Sequence, residues 1–241
     1  MENIITIFSD FDGVLFDTLK EAFVLCRKVL CDVDFFEPID EILYSKFYRY
    51  KYLVFNSWQY FYFMKTLLEF KNGSDNEFIQ EYNKKLKSRD LKNEEFFESE
   101  FLRSRKYLLE QYPDFVDSLE SKFVFFDKFV SLRNNPKYDI IIVSRKNNFA
   151  IQKRLLNNGV EGIKIIGKEE LSPFIHKSEF ISEYMNKNNI NKAFFIDDNS
   201  HNLLPCENIP HLTCFLAGWG NIGIDEKGLS GEEIFNKILN I

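Results

Sequence analysis

The stretch IITIFSDFDGVLFDT, residues 4–18, decides the fold. Residues 4–9 are apolar and rich in β-branched side chains, which reads as a buried strand. The run ends in Asp10 and Asp12 with Gly13 behind them. Two carboxylates and a tight turn therefore stand at the end of a strand. Carboxylates leaving a buried strand need a compensating partner, because desolvating a charge is costly. A metal ion would serve. A second acidic pair, Asp197-Asp198, closes another apolar run, AFFIDD, at residues 193–198. Strand-end carboxylates so far apart in sequence point to one metal site assembled by a folded sheet.

The chain between and beyond these runs alternates helix and strand. Thr18-x-x-Glu21, Ser74-x-x-Glu77 and Ser230-x-x-Glu233 read as capping boxes, each opening a helix. Ala22, Leu25, Cys26, Val29 and Leu30 recur at helical spacing, as do Phe78, Ile79, Tyr82 and Leu86, and then Phe96, Phe97, Phe101 and Leu108. Glycine marks the parts. Of ten glycines, only Gly73 lies between residues 17 and 118. A stretch so poor in glycine reads as helices joined by short polar turns. The predicted organisation is an α/β core formed by residues 1–16 and 119–241, with an all-helical insert over 17–118. In the second part of the core, a helix is expected over 123–132, a strand over 138–144, and a helix that stops at Asn158-Gly159. A short strand at 163–166, a helix over 177–185, and strands at 193–196 and 212–216 follow. This rhythm predicts a Rossmann-like parallel sheet flanked by helices on both faces.

In such a sheet, ligands bind beyond the carboxyl ends of the strands. Asp10, Asp12, Ser144 and Asp197-Asp198 are all expected there. Lys177 begins a helix 20 positions before Asp197. Several carboxylates brought together repel, and an oxygen-seeking divalent ion relieves that repulsion. Mg²⁺ suits a few carboxylates completed by water and a substrate phosphate. Lys177 and the Ser144 hydroxyl would then hold the remaining phosphate oxygens, with Lys168 a rival for the lysine role. Neither a Gly-x-x-x-x-Gly-Lys loop nor a Gly-x-Gly-x-x-Gly fingerprint is present, which argues against nucleotide cradling of those kinds.

Bulk properties narrow the classes. Hydrophobic residues make up 45% of the 241, enough for a real core. The net charge of −6 and pI near 5.3 argue against a general nucleic-acid binder. Four cysteines, Cys26, Cys31, Cys206 and Cys214, include no Cys-x-x-Cys pair and suggest no disulfide framework. The first residues carry Glu2 and Asp10 without a basic leader, so no signal peptide is expected. No apolar run approaches the roughly 18–20 residues needed to span a bilayer. A cytoplasmic protein is expected. Its oligomeric state is not legible.

These residues resemble the motifs of the haloacid dehalogenase-like hydrolases. DFDGVLFDT (10–18) resembles the first motif, IIVSRKN (141–147) the second and FFIDDN (194–199) the fourth, while Lys177 fits the third. The order and spacing are those of the family, and the long helical insert after the first motif is similar to its helical cap. The resemblance implies a Mg²⁺-dependent phosphatase acting on a small phosphorylated metabolite. By position, Asp10 would be the nucleophile that forms an aspartyl-phosphate. Asp12 would protonate the leaving oxygen and then activate water. The metal would be held by Asp10, the Asp12 carbonyl and Asp198, with Asp197 in support. Ser144 and Lys177 would bind phosphate, Lys177 also neutralising Asp10. Arg145 would touch the leaving group or lie at the surface. Many relatives carry an acid four residues after the metal-binding aspartate, where this chain has Asn202. That departure puts metal affinity in question and keeps open a non-catalytic descendant that binds a phosphorylated ligand or a partner. A phosphomutase, and a phosphonate hydrolase using a cap lysine, are the enzymatic alternatives. A dehalogenase needs no second acid, and Asp12 is one. His176 and His201, which flank two motifs, read as surface or substrate-proximal residues. The aromatic band from Tyr44 to Phe63 reads as core of the insert or as lining of a substrate pocket.

Overall fold

The computed structural model describes residues 4–70 and 72–240; positions 1–3, 71 and 241, which fall within the expected core and insert boundaries, lie outside the described residues. The chain divides into two compact units, one of residues 1–17 and 121–241, the other of residues 18–120.

The first unit is built on strands β1 (Ile5–Ser9), β4 (Tyr138–Val143), β5 (Lys164–Ile166), β6 (Ala193–Asp197) and β7 (Leu212–Leu216), once the short strands β2 (Phe16–Asp17) and β3 (Ser121–Lys122) are counted in chain order. The five form one parallel sheet in the order β5-β4-β1-β6-β7. β1 lies at its centre, with Ile7 registered against Ile140 on one side and Phe194 on the other. A central parallel strand is covered on both faces, which explains why β1, β4 and β6 read as largely apolar runs. Successive side chains still alternate between two cores. Ile5, Ile7, Ile140, Ile142, Phe194 and Ile196 pack on one face with Phe125, Phe129, Ile151, Leu155, Ile234 and Ile238. Phe8, Ile141, Val143 and Phe195 pack on the other with Leu171, Ile181, Met185 and Leu203.

The helices run in chain order α1 (Leu19–Cys31), α2 (Glu41–Tyr50), α3 (Gln59–Glu69), α4 (Asp75–Lys87), α5 (Leu91–Gln111) and α6 (Pro113–Leu119) in the second unit. Then come α7 (Val124–Leu132), α8 (Asn148–Asn157), α9 (Lys168–Leu171), α10 (Lys177–Lys187), α11 (Ser200–Leu203) and α12 (Gly231–Leu239) in the first. The sheet with helices on both faces is the expected α/β class. Ser74 and Ser230 form their capping boxes with Glu77 and Glu233. Thr18 does not: its side chain makes no capping bond to α1. Glu21 is engaged elsewhere, accepting two bonds from Arg105 of α5 at 2.6 and 2.9 Å. A buried carboxylate is better served by a guanidinium fork than by a backbone amide, so the tertiary contact overrides the local motif.

In the helical unit, α3 packs against α1, α2, α4 and α5. Its consecutive residues Tyr60, Phe61, Tyr62, Phe63 and Met64 are all buried. Five consecutive buried residues cover every side of a helix, which places this first part of α3 inside the bundle, and this part of the aromatic band is core. One detail of the first unit escaped the sequence reading. β2 and β3 pair antiparallel, Phe16 with Lys122 and Asp17 with Ser121, so the chain leaves this unit and re-enters it side by side.

Candidate active site

The carboxyl ends of β1, β4 and β6 meet at one edge of the sheet. Asp10 follows β1, and its backbone N–H donates to the Ile196 carbonyl at 2.8 Å, carrying strand pairing up to the site. Beyond it the chain turns tightly. The N–H groups of Leu15 and Phe16 both donate to the Phe11 carbonyl, and Gly13 N–H donates to the Phe16 carbonyl at 2.8 Å. Gly13 has φ of +82°, the left-handed region that glycine enters without cost. A Cβ there would stand 1.8 Å from Asp198 Oδ2. Gly220, in the loop after β7, is equally constrained, since its Cβ would lie 2.3 Å from both Asp198 Cβ and the Gly13 carbonyl oxygen. Asp198 is thus seated between two glycines, and the Asn221 N–H donates to its Oδ2 at 2.6 Å. Gly220 admits this loop to the site, while Gly218 packs against Gly228.

Lys177 opens α10 and is 1% exposed. Its ammonium lies 2.7 Å from Asp10 Oδ2 and 2.8 Å from Asp197 Oδ2. Asp10 Oδ1 also accepts the Phe11 N–H at 2.6 Å. Asp197 accepts from the Asn199 N–H at 2.9 Å and from Asn202 Nδ2 at 3.0 and 3.1 Å. Asn202 therefore stands beside a carboxylate, where a second acid would repel it. Burial pushes the Asp10 carboxyl up to about 6; Lys177 opposes the shift, and Asp197 and Asp12 add to it. Burial alone would lower Lys177, but Asp10 and Asp197 outweigh it and hold the ammonium well above the ordinary lysine range.

One carboxylate oxygen each from Asp10, Asp197 and Asp198 lie within 4.8 Å of one another, and all three residues are buried. The carboxylate of Asp12 turns elsewhere, its Oδ1 accepting from Lys146 Nζ at 3.1 Å. The donor set that Asp10, Asp197 and Asp198 bring together is all oxygen, which suits a hard divalent cation.

Ser144 follows β4 and is buried; its N–H donates to the Ile166 carbonyl at 2.9 Å, and its Oγ faces the Lys146 N–H at 3.4 Å. Arg145 bonds the carbonyls of Leu171, Phe174 and Ile175 at 2.7–3.0 Å. Those bonds tie down the loop leading into α10. Burial lowers Arg145, countered by Glu179 and Asp10. The backbone N–H of Lys168 bonds the Lys146 carbonyl at 3.0 Å; Lys177 is the lysine between Asp10 and Asp197. His176 and His201 are exposed. Sequence reasoning gave no role to Lys146 or Asn221, although Lys146 lies within IIVSRKN and Asn221 within the glycine-bearing segment that follows the last strand; each finds its partner across the fold.

No protein-family model matches the chain, and no curated protein matches it in sequence. Solved structures do. A predicted phosphatase from Clostridium acetobutylicum, 15% identical, superposes with a TM-score of 0.65 over 99% of this chain and 100% of that one. A predicted phosphoglycolate phosphatase from Haemophilus somnus, 13% identical, gives 0.63 over 100% and 98%. A haloacid dehalogenase-like family hydrolase from Streptococcus pneumoniae, 16% identical, gives 0.52 over 99% and 100%. At such identities the likeness is one of fold.

Proposed function

The chain has the fold of the haloacid dehalogenase-like hydrolases, and from that premise we propose that it is a divalent-metal-dependent phosphatase acting on small phosphorylated metabolites. The observation that carries this reading is the convergence of Asp10, Asp197 and Asp198 around the buried ammonium of Lys177. A buried carboxylate flanked by a cation and by further carboxylates is poised for covalent chemistry rather than for structural support.

In this reading Asp10 is the nucleophile. Its carboxylate oxygen bonds to phosphorus as the ester P–O bond breaks. Asp12 donates a proton to the leaving oxygen, then accepts one from the water that cleaves the aspartyl-phosphate. Lys177 favours the ionised form of Asp10 against the effect of burial and draws a phosphate oxygen toward it. Ser144 donates its hydroxyl to another phosphate oxygen. Mg²⁺ would be held by Asp10, the Asp12 carbonyl and Asp198, with Asp197 beside them. Bound there, it would supply positive charge against the transferring phosphoryl group. Asp197 accepts from Lys177, Asn199 and Asn202, which suits a carboxylate that supports the site more than one that fills a metal's coordination shell. We assign Arg145 to anchoring the loop before α10, since three of its bonds end on carbonyls there. Residues 18–120 are assigned the cap's part, selecting which monoester reacts.

Hydrolysis of p-nitrophenyl phosphate with and without Mg²⁺ tests the reading. Activity should require the metal, and Asp10→Asn should abolish it while the protein stays folded. Full activity in that variant would falsify the nucleophile assignment. A burst whose phosphoryl group returns to a sugar phosphate, instead of passing to water, would favour the mutase alternative.

A further inference from the structure

We propose that Lys146 is a positioning residue for Asp12, fixing the carboxylate that exchanges the proton; this rests on the phosphatase reading above. The Lys146 side chain is 3% exposed, and its Nζ lies 3.1 Å from Asp12 Oδ1. Burying an ammonium costs several kcal/mol unless it meets an opposite charge, so a lysine seated this deeply has a reason to be charged there. Asp12 is the more open partner, at 35%. A buried cation on one oxygen favours the staggered χ1 well that keeps the pair together.

The anchor itself is held. The Lys146 N–H faces Ser144 Oγ at 3.4 Å, and its carbonyl accepts the Lys168 N–H at 3.0 Å. The ammonium also lies 6.0 Å from the centre of the Phe11 ring, on the turn that carries Asp12. The loop after β4 thereby sets a side chain on the loop after β1, across 134 positions of sequence. The consequence is chemical. Proton transfer needs the carboxylate oxygen within about 2.6–3.2 Å of the oxygen it serves. With Oδ1 held by the ammonium, the carboxyl group has a fixed aim as it gives its proton to the leaving oxygen while the ester bond breaks. It takes a proton back from water as the aspartyl-phosphate P–O bond breaks. Misplacement of about 1 Å in such a step can cost on the order of 100-fold in rate.

The test compares Lys146→Met and Lys146→Arg in the full chain at saturating Mg²⁺, with p-nitrophenyl phosphate and glycerol phosphate as substrates. Melting temperatures are measured beside kcat and KM. Lys146→Met should lower kcat about 10- to 100-fold with KM within about threefold. The loss should be larger for glycerol phosphate, whose leaving alkoxide needs the proton more than p-nitrophenolate does. Lys146→Arg should recover at least several-fold of the lost kcat. If the Met variant melts below the assay temperature, Lys146→Gln takes its place against the Arg variant, with the same outcomes. Unchanged kcat overturns the proposal. So does a rise in KM alone, which would make Lys146 a phosphate ligand. An Arg variant no better than Met, with the same drop in melting temperature, reduces Lys146 to a structural role and also overturns it. A wild-type chain with no Asp10-dependent hydrolysis would instead refute the phosphatase reading, and this proposal with it.

Discussion

Replacing Asp10 by Asn should change how the fold's stability responds to pH, and by an amount the site itself sets. Burial and the neighbouring carboxylates push the Asp10 carboxyl up from 3.8 to about 6, against the pull of Lys177. A carboxyl raised in the folded state binds its proton more tightly there than in the unfolded chain. The stabilisation it gives is complete below the unfolded pKa and is lost as pH rises through the folded one. Between pH 5 and pH 8 the folded protein surrenders that proton, while the unfolded chain has already done so. The linked loss is on the order of 1 kcal/mol. At roughly 2–4 °C per kcal/mol for a chain of this size, that is a few °C of melting temperature. The assay is thermal denaturation of wild type and Asp10→Asn in a chelator at both pH values, read on the transition of the sheet-containing unit. The melting temperature of wild type minus that of the variant should fall by roughly 2–4 °C from pH 5 to pH 8. Mg²⁺ should then stabilise wild type at pH 8 by about 2.7 kcal/mol at 100 times its Kd, and the variant by less. A difference that stays constant with pH, or moves the other way, would refute the reasoning that Asp10 is held against its own ionisation.

The other site residues give sharper effects. Lys177→Met would leave Asp10 and Asp197 facing each other without their shared cation; breaking a buried pair costs about 3–5 kcal/mol, and both melting temperature and kcat should drop, with partial thermal recovery at pH 5 as Asp10 protonates. Gly13→Ala would force a Cβ to within 1.8 Å of Asp198 Oδ2 at a φ of +82°; the expected result, read by calorimetric titration, is Mg²⁺ affinity lowered at least tenfold, and unchanged affinity would show that Asp198 does not hold the metal. Asn202→Asp would set a carboxylate about 3 Å from Asp197 in place of an amide donor; stability at pH 8 should fall by about 1–3 kcal/mol, measured by urea denaturation, and the loss should shrink as pH falls.

Much of the fold was legible because its physics is local or periodic. Ile5–Ser9, Tyr138–Val143 and Ala193–Asp197 announce themselves as buried parallel strands by largely apolar runs, Asp139 being the one exposed interruption. Asp10 and Asp197-Asp198 stood out because charge at the end of such a run needs an explanation. What the chain hid is tertiary. Glu21 carries the signature of a capping box, yet its carboxylate belongs to Arg105, 84 positions away. Lys146 sits in the aperiodic stretch SRKN, and only the folded sheet reveals its carboxylate partner 134 positions earlier. Lys168 and Lys177 could not be told apart by spacing; burial between two carboxylates distinguishes them. The ribbon of Phe16-Asp17 with Ser121-Lys122 is too short for any alternation to be seen.

That ribbon has a practical meaning. Because Asp17 and Ser121 face each other in an antiparallel register, the 103 intervening residues hang from two adjacent backbone ends. A tight Asn-Gly hairpin would bridge the same gap without disturbing either strand. The insertion point is thus a natural socket: a miniature of the sheet-bearing unit, or a chimera bearing some other protein's helices, could be spliced there between two strand ends already in register.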